Sequence, residues 1–236
     1  MHHRFCVSGP IAADSVVALE GEELHHAARV ARVRTGEQVE LFDGHGRAVA
    51  GRIEVLETNR VLIRVEQEIE SREARVAVTL AMAIINLDRF ELVLQKATEL
   101  GVATIVPLVS DRVEIRAERY AGKEERWRRI VLEAVKQCGR AAIPAITAPV
   151  RFDEIAGRGA AAILFDADAV PTSEPLTGEP MTLLVGPEGG WSDRELALAR
   201  DRGCRFRRLG PRRLRAETAA IAGMAIVMSE LGLLLS

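Results

Sequence analysis

Two glycine-bearing stretches carry the residues whose types and spacing are suited to chemistry. The first is MTLLVGPEGGWSDREL, Met181–Leu196: an apolar run, then Gly186-Pro187-Glu188-Gly189-Gly190, then a helix start at Ser192 with Glu195 three residues on. Glycine reaches dihedrals closed to other residues and lets a ligand approach bare backbone. Serine followed by glutamate at that spacing is a capping box. Ligands of open α/β sheets bind at the carboxyl ends of the strands, which is where this loop falls. Three glycines and a proline in five residues argue against an ordinary tight βα turn. The second stretch is CRFRRLGPRRLRAETAA, Cys204–Ala220. It reads as a short strand to Leu209, a turn at Gly210-Pro211, and an Ala-rich helix opened by Leu214-Arg215-Ala216-Glu217-Thr218. Glycine turns at successive strand ends can form two walls of one pocket. Phosphate-cradling alternatives fail: no Lys follows the glycines as a GxxxxGK[ST] loop requires, and GxGxxG spacing is absent. No GxSxG elbow or HExxH pair is present either.

The formal net charge is −2, which taken alone argues against a nucleic-acid partner. The distribution says otherwise. Arg205, Arg207, Arg208, Arg212, Arg213 and Arg215 crowd one segment with no acid between its ends. A solvated charged face is the plain reading of most charge runs, but this one leaves RNA binding open.

These stretches need elements to position them. Val76 to Ala83 is an apolar strand, and Asp88 with Glu91 marks a capping-box-like helix start. Phe90, Val93, Leu94 and Ala97 line one face of that helix, and Gly101 stops it. Thr104–Leu108 is a strand. Lys123–Cys138 is a helix with Trp127, Ile130, Val131, Ala134 and Cys138 inward. Ala160–Phe165 and Met181–Val185 are further buried strands. Strands alternating with helices predict a parallel sheet covered on both faces. Before Val76 the pattern has period two. Strands are predicted at Glu37–Asp43, Ala48–Leu56 and Val61–Ile69, with one helix at Glu22–Ala31, as a small barrel closed on itself. The charged stretch Glu66–Arg75 marks the boundary, giving domains 1–72 and 73–236.

With 236 residues, 48% of them hydrophobic, the chain can bury a core. No apolar run approaches the roughly 20 residues that span a bilayer, and Met1-His2-His3-Arg4-Phe5 lacks a secretory apolar stretch. The three cysteines, Cys6, Cys138 and Cys204, lie far apart without a CxxC pair. That pattern predicts reduced thiols in the cytoplasm and no metal site.

GPEGGWSDREL followed by LGPRRLRAETAA resembles the C-terminal signature of the ribosomal RNA small subunit methyltransferase E family. The resemblance runs through DRFELVLQKATELGVATIVPL, Asp88–Leu108, similar to the family's first catalytic-domain helix and strand. It continues in ERWRRIVLEAVKQCGRAAIP, Glu125–Pro144, and in HHAARVARVRTGEQVELFDGHG, His25–Gly46, which looks like its PUA-like N-terminal domain. Departures occur at Asn86-Leu87, where the family often has Lys-Gly, at Arg213 in place of an aliphatic residue, and at Trp191 in place of Phe.

The resemblance implies an α/β, SPOUT-type, trefoil-knotted parallel-sheet methyltransferase domain preceded by a small PUA-like β-barrel. It implies S-adenosylmethionine as cofactor, N3 of a uridine in 16S rRNA of the small ribosomal subunit as target, a homodimer as working form and no membrane partner. Leu184, Gly186, Pro187, Glu188, Gly189, Gly190, Leu209, Gly210, Leu214 and Thr218 would hold the cofactor. Arg4, Arg32, Arg34, Arg89 and Arg212 would contact RNA, mainly at phosphates, which fix position more than sequence.

Uracil N3 must lose a proton, so a base or an anion-stabilising cation is required. All five histidines lie between His2 and His45, and arginine is no base near neutral pH. Candidate bases are Glu217, Glu188 or an N-terminal histidine from a partner subunit. The reading favours Arg215 stabilising the anion, with Glu217 orienting it or taking the proton; a structural ion pair between the two is the competing assignment. The closing helix, Glu217–Leu235, is apolar nearly all round and so calls for more than one partner surface. Rival functions are a non-catalytic RNA-binding protein, a nucleotide-phosphate enzyme using the glycine loop, and ribose 2′-O methylation within the same superfamily.

Overall fold

The computed structural model describes residues 3–31, 33–113, 120, 122–157, 161–170 and 175–234. The chain divides into two compact units, one of residues 1–73 with 135–143, the other of residues 74–134 with 144–236.

The first unit holds strands β1 (Arg4–Cys6), β2 (Val16–Ala18), β3 (Gln38–Phe42), β4 (Ala48–Glu57) and β5 (Arg60–Ile69), with helix α1 (Gly21–His25) running into a π-helical turn at His26–Val30. The sheet order is β1-β3-β4-β5-β2, with β1 parallel to β3 and the other pairs antiparallel. Val39 and Leu41, alternate residues of β3, are wholly buried with Phe5, Ile11, Val61 and Ile63, as period-two patterning requires. The expected closed barrel is instead a curled half-barrel: among the described residues, edge strands β1 and β2 do not pair. Curvature enters at the register shift between Ala50 and Gly51, where a Cβ on Gly51 would stand 2.7 Å from the Arg64 carbonyl oxygen. Part of the charged stretch taken as a boundary is strand, since β5 continues to Ile69.

Residues 135–143 are sewn into this unit by buried charge. Arg4 donates from Nε to Glu40 (2.7 Å) and from its two Nη atoms to the carbonyls of Val135 (2.9 Å), Lys136 (3.3 Å) and Arg140 (2.9 Å). Glu73 accepts from Arg140 Nε (3.0 Å) and Nη2 (2.8 Å), and from the Ala141 and Ala142 amides at 2.7 and 2.9 Å. Burial pushes the Glu73 carboxyl up, but the Ala142 amide, Arg140 and the Ala141 amide outweigh it and leave the carboxyl below its ordinary value. No sequence pattern pairs Glu73 with a turn more than sixty residues on.

The second unit holds β6 (Val78–Ala83), α2 (Leu87–Glu99), β7 (Thr104–Val109), α3 (Glu124–Cys138, whose end joins the first unit), β8 (Ala145–Ile146), β9 (Val150–Arg151), α4 (Phe152–Ile155), β10 (Ala162–Phe165), β11 (Met181–Val185), α5 (Asp193–Asp201), β12 (Arg205–Arg207) and α6 (Ala216–Glu230). Its sheet runs β12-β10-β11-β6-β7-β8, with β9 also on β7, and every pair is parallel. Phe90, Val93, Leu94 and Ala97 of α2 are buried as predicted. The helix begins earlier than expected. Asn86, with non-helical backbone, caps it by accepting from the Asp88 amide at 3.1 Å, while Glu91 binds Arg126 of α3 at 2.6 and 2.7 Å.

Helix α6 stops at Glu230, short of the expected Leu235, which lies outside the described residues. Gly232 at φ +70° donates to the Ser229 carbonyl (2.9 Å) and Leu233 to that of Met228 (2.8 Å), a Schellman stop that needs a left-handed residue. Most of its apolar side chains are buried or half-buried within this unit, Met224, Val227 and Met228 completely or nearly so, while Ile226 is exposed. Among the described residues no helix is long and apolar enough to cross a membrane. The three cysteines are free thiols.

Candidate active site

Parallel strands put all their carboxyl ends on one edge, so the sheet order alone decides which loops are neighbours. The turn after β11 (Gly186–Gly190) and the turn after β12 (Arg208–Arg215) flank the end of β10. Between them lie Phe165 and Asp166, which sequence reasoning missed. Their only signal was an apolar strand running into an acidic turn, FDAD, and nothing local says that β10 sits between β11 and β12.

The glycine loop is held from both sides. Its helix, α5, begins with the predicted capping box: the Glu195 amide donates to Ser192 Oγ (3.2 Å) and the Ser192 amide to Glu195 Oε2 (2.9 Å). Glu195 is fully buried, and its other oxygen accepts from the Asp111 amide at 3.0 Å. Asp111, in the loop after β7, accepts from Arg194 (3.0 and 2.7 Å) and from Ser192 Oγ (2.6 Å). Those two donors, Arg194 first, lower its carboxyl pKa to about 2. Arg112 donates to the Gly189 carbonyl at 3.0 Å. On the inner side the Trp191 indole N–H donates to the Phe165 carbonyl at 2.9 Å. A Cβ on Gly186 would stand 2.9 Å from Trp191, and one on Gly223 of α6 would stand 2.7 Å from the Phe165 ring. Both glycines are there because an aromatic ring already occupies the space.

Gly190 and Gly210 serve differently. Both have left-handed backbone, at φ +70° and +77°, and among the described residues no atom beyond the glycine and its chain neighbours lies within 4 Å of where a Cβ would stand. Gly190 donates to the Pro187 carbonyl at 2.9 Å, closing the turn. Gly210 has its carbonyl held by Arg208 Nε at 2.8 Å. These open faces are where an occupant can meet backbone directly.

Each of the other residues predicted for the site has a definite placement. Leu184 is fully buried in the sheet, which leaves it no exposed side chain. Pro187 and Leu209 are half-buried, while Glu188 and Thr218 are exposed. Leu214 is exposed, unusually for a large apolar residue. Arg215 occupies the N-cap of α6 without a side-chain cap bond, its carbonyl accepting from the Ala219 amide at 2.8 Å. Glu217 is buried. It pairs not with Arg215 but with Arg89, whose Nε lies 3.8 Å from its Oε1, while its Oε2 is buried and, among the described residues, has no hydrogen-bond partner. Arg89 Nη1 also binds Glu188.

Arg4 has its donors committed to the carboxylate and carbonyls described above and is 9% exposed at the side chain, so phosphate contact is closed to it. Arg34 is exposed, as are Arg212 and Arg208. Arg32 lies outside the described residues. Of the basic run, Arg207 turns inward to Glu230 at 2.6 Å and Arg205 donates to the Pro175 carbonyl at 3.2 Å.

The family model for the RNA methyltransferase domain matches residues 72–228, and that for the RNA methyltransferase PUA domain matches residues 19–66. The ribosomal RNA small subunit methyltransferase E of Synechocystis is 31% identical over 95% of this chain and 77% of its own length. That of Aquifex aeolicus is 30% identical over 91% of this chain and 94% of its own. Among solved structures, the ribosomal RNA small subunit methyltransferase E of Neisseria gonorrhoeae bound to S-adenosylmethionine superposes with a TM-score of 0.88 at 31% identity, covering 97% of this chain and 98% of that one. A Legionella pneumophila methyltransferase in complex with the same cofactor gives 0.85 at 32% identity, over 97% and 98%. These likenesses show a SPOUT-type α/β fold with a PUA-like first domain, and the chain belongs to the ribosomal RNA small subunit methyltransferase E family.

Proposed function

We propose that this chain is an S-adenosylmethionine-dependent methyltransferase acting on N3 of a uridine in 16S rRNA of the small ribosomal subunit. One observation carries the reading: two glycine turns with open faces lie at the ends of strands flanking β10, in a fold shared with a family member bound to that cofactor. The donor set fits an adenosyl group, because backbone amides and carbonyls of Gly186–Gly190 and Leu209–Leu214 can read an adenine edge while small or apolar side chains leave room. When bound, the cofactor supplies an electrophilic methyl group on a sulfonium. The residues of the chain supply everything else. Gly190 and Gly210 admit the cofactor to the backbone, and the half-buried or exposed Leu209 and Leu214 give it apolar contact. Glu217, with one carboxylate oxygen buried and lacking a donor among the described residues, is the acceptor for the uracil N3 proton. Arg215, exposed at the mouth of α6, is the cation that stabilises the developing uracil anion. Arg34 on the first unit and Arg212 on the second are phosphate contacts that fix RNA position.

Nucleoside mass spectrometry of 16S rRNA methylated by the purified protein tests the reading. The expected product is 3-methyluridine. A 2′-O-methylated nucleoside would overturn the N3 assignment, and an unmodified product with bound cofactor would overturn the enzymatic one. A Gly190→Leu variant should lose cofactor affinity. Calorimetry checks this, with left-handed strain of about 1–2 kcal/mol as the only expected penalty to the fold. Wild-type affinity in that variant would remove the glycine loop from the site.

The working form we infer is a homodimer built on the second unit. The family resemblance is what supports the dimer, and Leu92 of α2 and Ile226 of α6, each 42% exposed, are apolar side chains that a second copy would cover. Sedimentation equilibrium at micromolar concentration should give twice the chain mass; a monomer with full activity would refute the dimer.

A further inference from the structure

We infer that Arg89 is a positioning residue that ties the glycine loop to the first turn of α6, and not a contact to RNA phosphate; the inference rests on the methyltransferase reading above. Three segments distant in sequence meet at its guanidinium. Arg89 stands in the first turn of α2. Its Nη1 binds Glu188, within Gly186–Gly190, and its Nε lies 3.8 Å from Glu217 Oε1, in the first turn of α6. Among the described residues no other Lys, Arg or His nitrogen lies within 4.0 Å of either carboxylate. A phosphate arriving at Arg89 would have to displace two carboxylates already paired to it, and those carboxylates would repel it.

The two partners are unequal, and that sets the direction of the effect. The Glu188 side chain is 59% exposed and can turn to water if Arg89 is removed; the Glu217 side chain is 12% exposed and cannot. Exposed ion pairs contribute little stability. The Arg89–Glu188 contact therefore matters for geometry more than for the fold. It holds a loop that meets the cofactor at a set distance from the carboxylate assigned to the proton.

Four measurements on Arg89→Ala, Arg89→Lys, Glu188→Gln and the double variant Arg89→Ala/Glu188→Gln test this. Arg89→Ala should weaken cofactor binding about tenfold, the cost of leaving a loop to order itself on binding. It should also lower kcat by up to about 10²-fold through misplacement, with KM for RNA unchanged. The double variant should bind cofactor no more weakly than Arg89→Ala alone, because paired residues are not additive. Arg89→Lys should recover part of the loss, since lysine keeps the charge but not the forked geometry. The slope of log K against log salt for RNA binding should stay at its wild-type value.

A slope reduced by about 0.7–0.9, as one lost phosphate contact would give, with cofactor affinity intact, overturns the inference in favour of an RNA contact. Additive losses in the double variant overturn it as well. Hydrogen exchange of the 186–190 amides in unliganded protein keeps this question apart from the proposed activity. Arg89→Ala and Glu188→Gln should both speed that exchange whether or not RNA is ever methylated. Wild-type protection in both variants refutes the clamp, whereas a wild-type protein that binds no cofactor refutes the enzymatic reading.

Discussion

Replacing Glu217 by glutamine is expected to lower kcat for RNA methylation by about 10²–10⁴-fold, the range for loss of a positioned acid–base group. Glutamine keeps the shape and an oxygen for Arg89, so cofactor affinity should stay close to that of the wild type and the fold should remain cooperative. Single-turnover kinetics with saturating cofactor, alongside calorimetry, separates the two quantities. The expectation draws on an orphan. A buried polar atom without a partner costs about 1–3 kcal/mol, and Glu217 Oε2 is such an atom a few residues from a turn with open glycine faces. Sites retain unsatisfied groups of this kind because a substrate completes them. A Glu217→Gln enzyme with wild-type kcat would move proton acceptance to Glu188 or to a histidine.

The second large effect concerns stability. Glu73→Ala should lower the unfolding free energy by on the order of 3 kcal/mol, read as a drop in urea midpoint at unchanged m-value. The change takes the carboxylate away from Arg140, which is 7% exposed, and takes the acceptor from the amides of Ala141 and Ala142. Its pH dependence has a definite sign. The Glu73 carboxyl is lowered in the folded state. Its contribution is therefore complete above the unfolded value of about 4.3 and is lost as pH falls through the lower folded value. Wild type and Glu73→Ala should differ most near neutrality and converge in strong acid. For the same reason, removing residues up to Arg75 would not yield a free-standing catalytic fragment, because that cut strips residues 135–143 of the Glu73 and Arg4 contacts that order them.

Much of the second unit could be read from the chain because its signals are local. The buried stripe of α2 repeats with the helical period, the Ser192/Glu195 box spans four residues, and β11 is an uninterrupted apolar run. The misses share a cause. Asn86 displaced Asp88 as cap because one dihedral pair, φ −51° and ψ 137°, decides where a helix starts, and composition does not reveal it. Gly232 stops α6 inside an apolar run that looks helical to its end. Strands β1 and β2 have three residues each, too few for a period to show. Phe165 and Asp166 enter the site through strand order, and Glu217 found Arg89 instead of Arg215 through an approach across 128 positions, 217 − 89. Long-range pairing of this kind is a property of topology, and no window of sequence contains it.

The contact between Gly223 and Phe165 has an engineering consequence. Helix α6 touches the Phe165 ring through backbone, the Phe165 carbonyl holds Trp191, and Trp191 fills the place of a side chain at Gly186. Nothing in that series is a flexible side chain able to swing aside. The clearance between α6 and the glycine loop therefore behaves like a machined gap, fixed by hard atoms at each step. Enlarging it would require trimming Phe165 or Trp191.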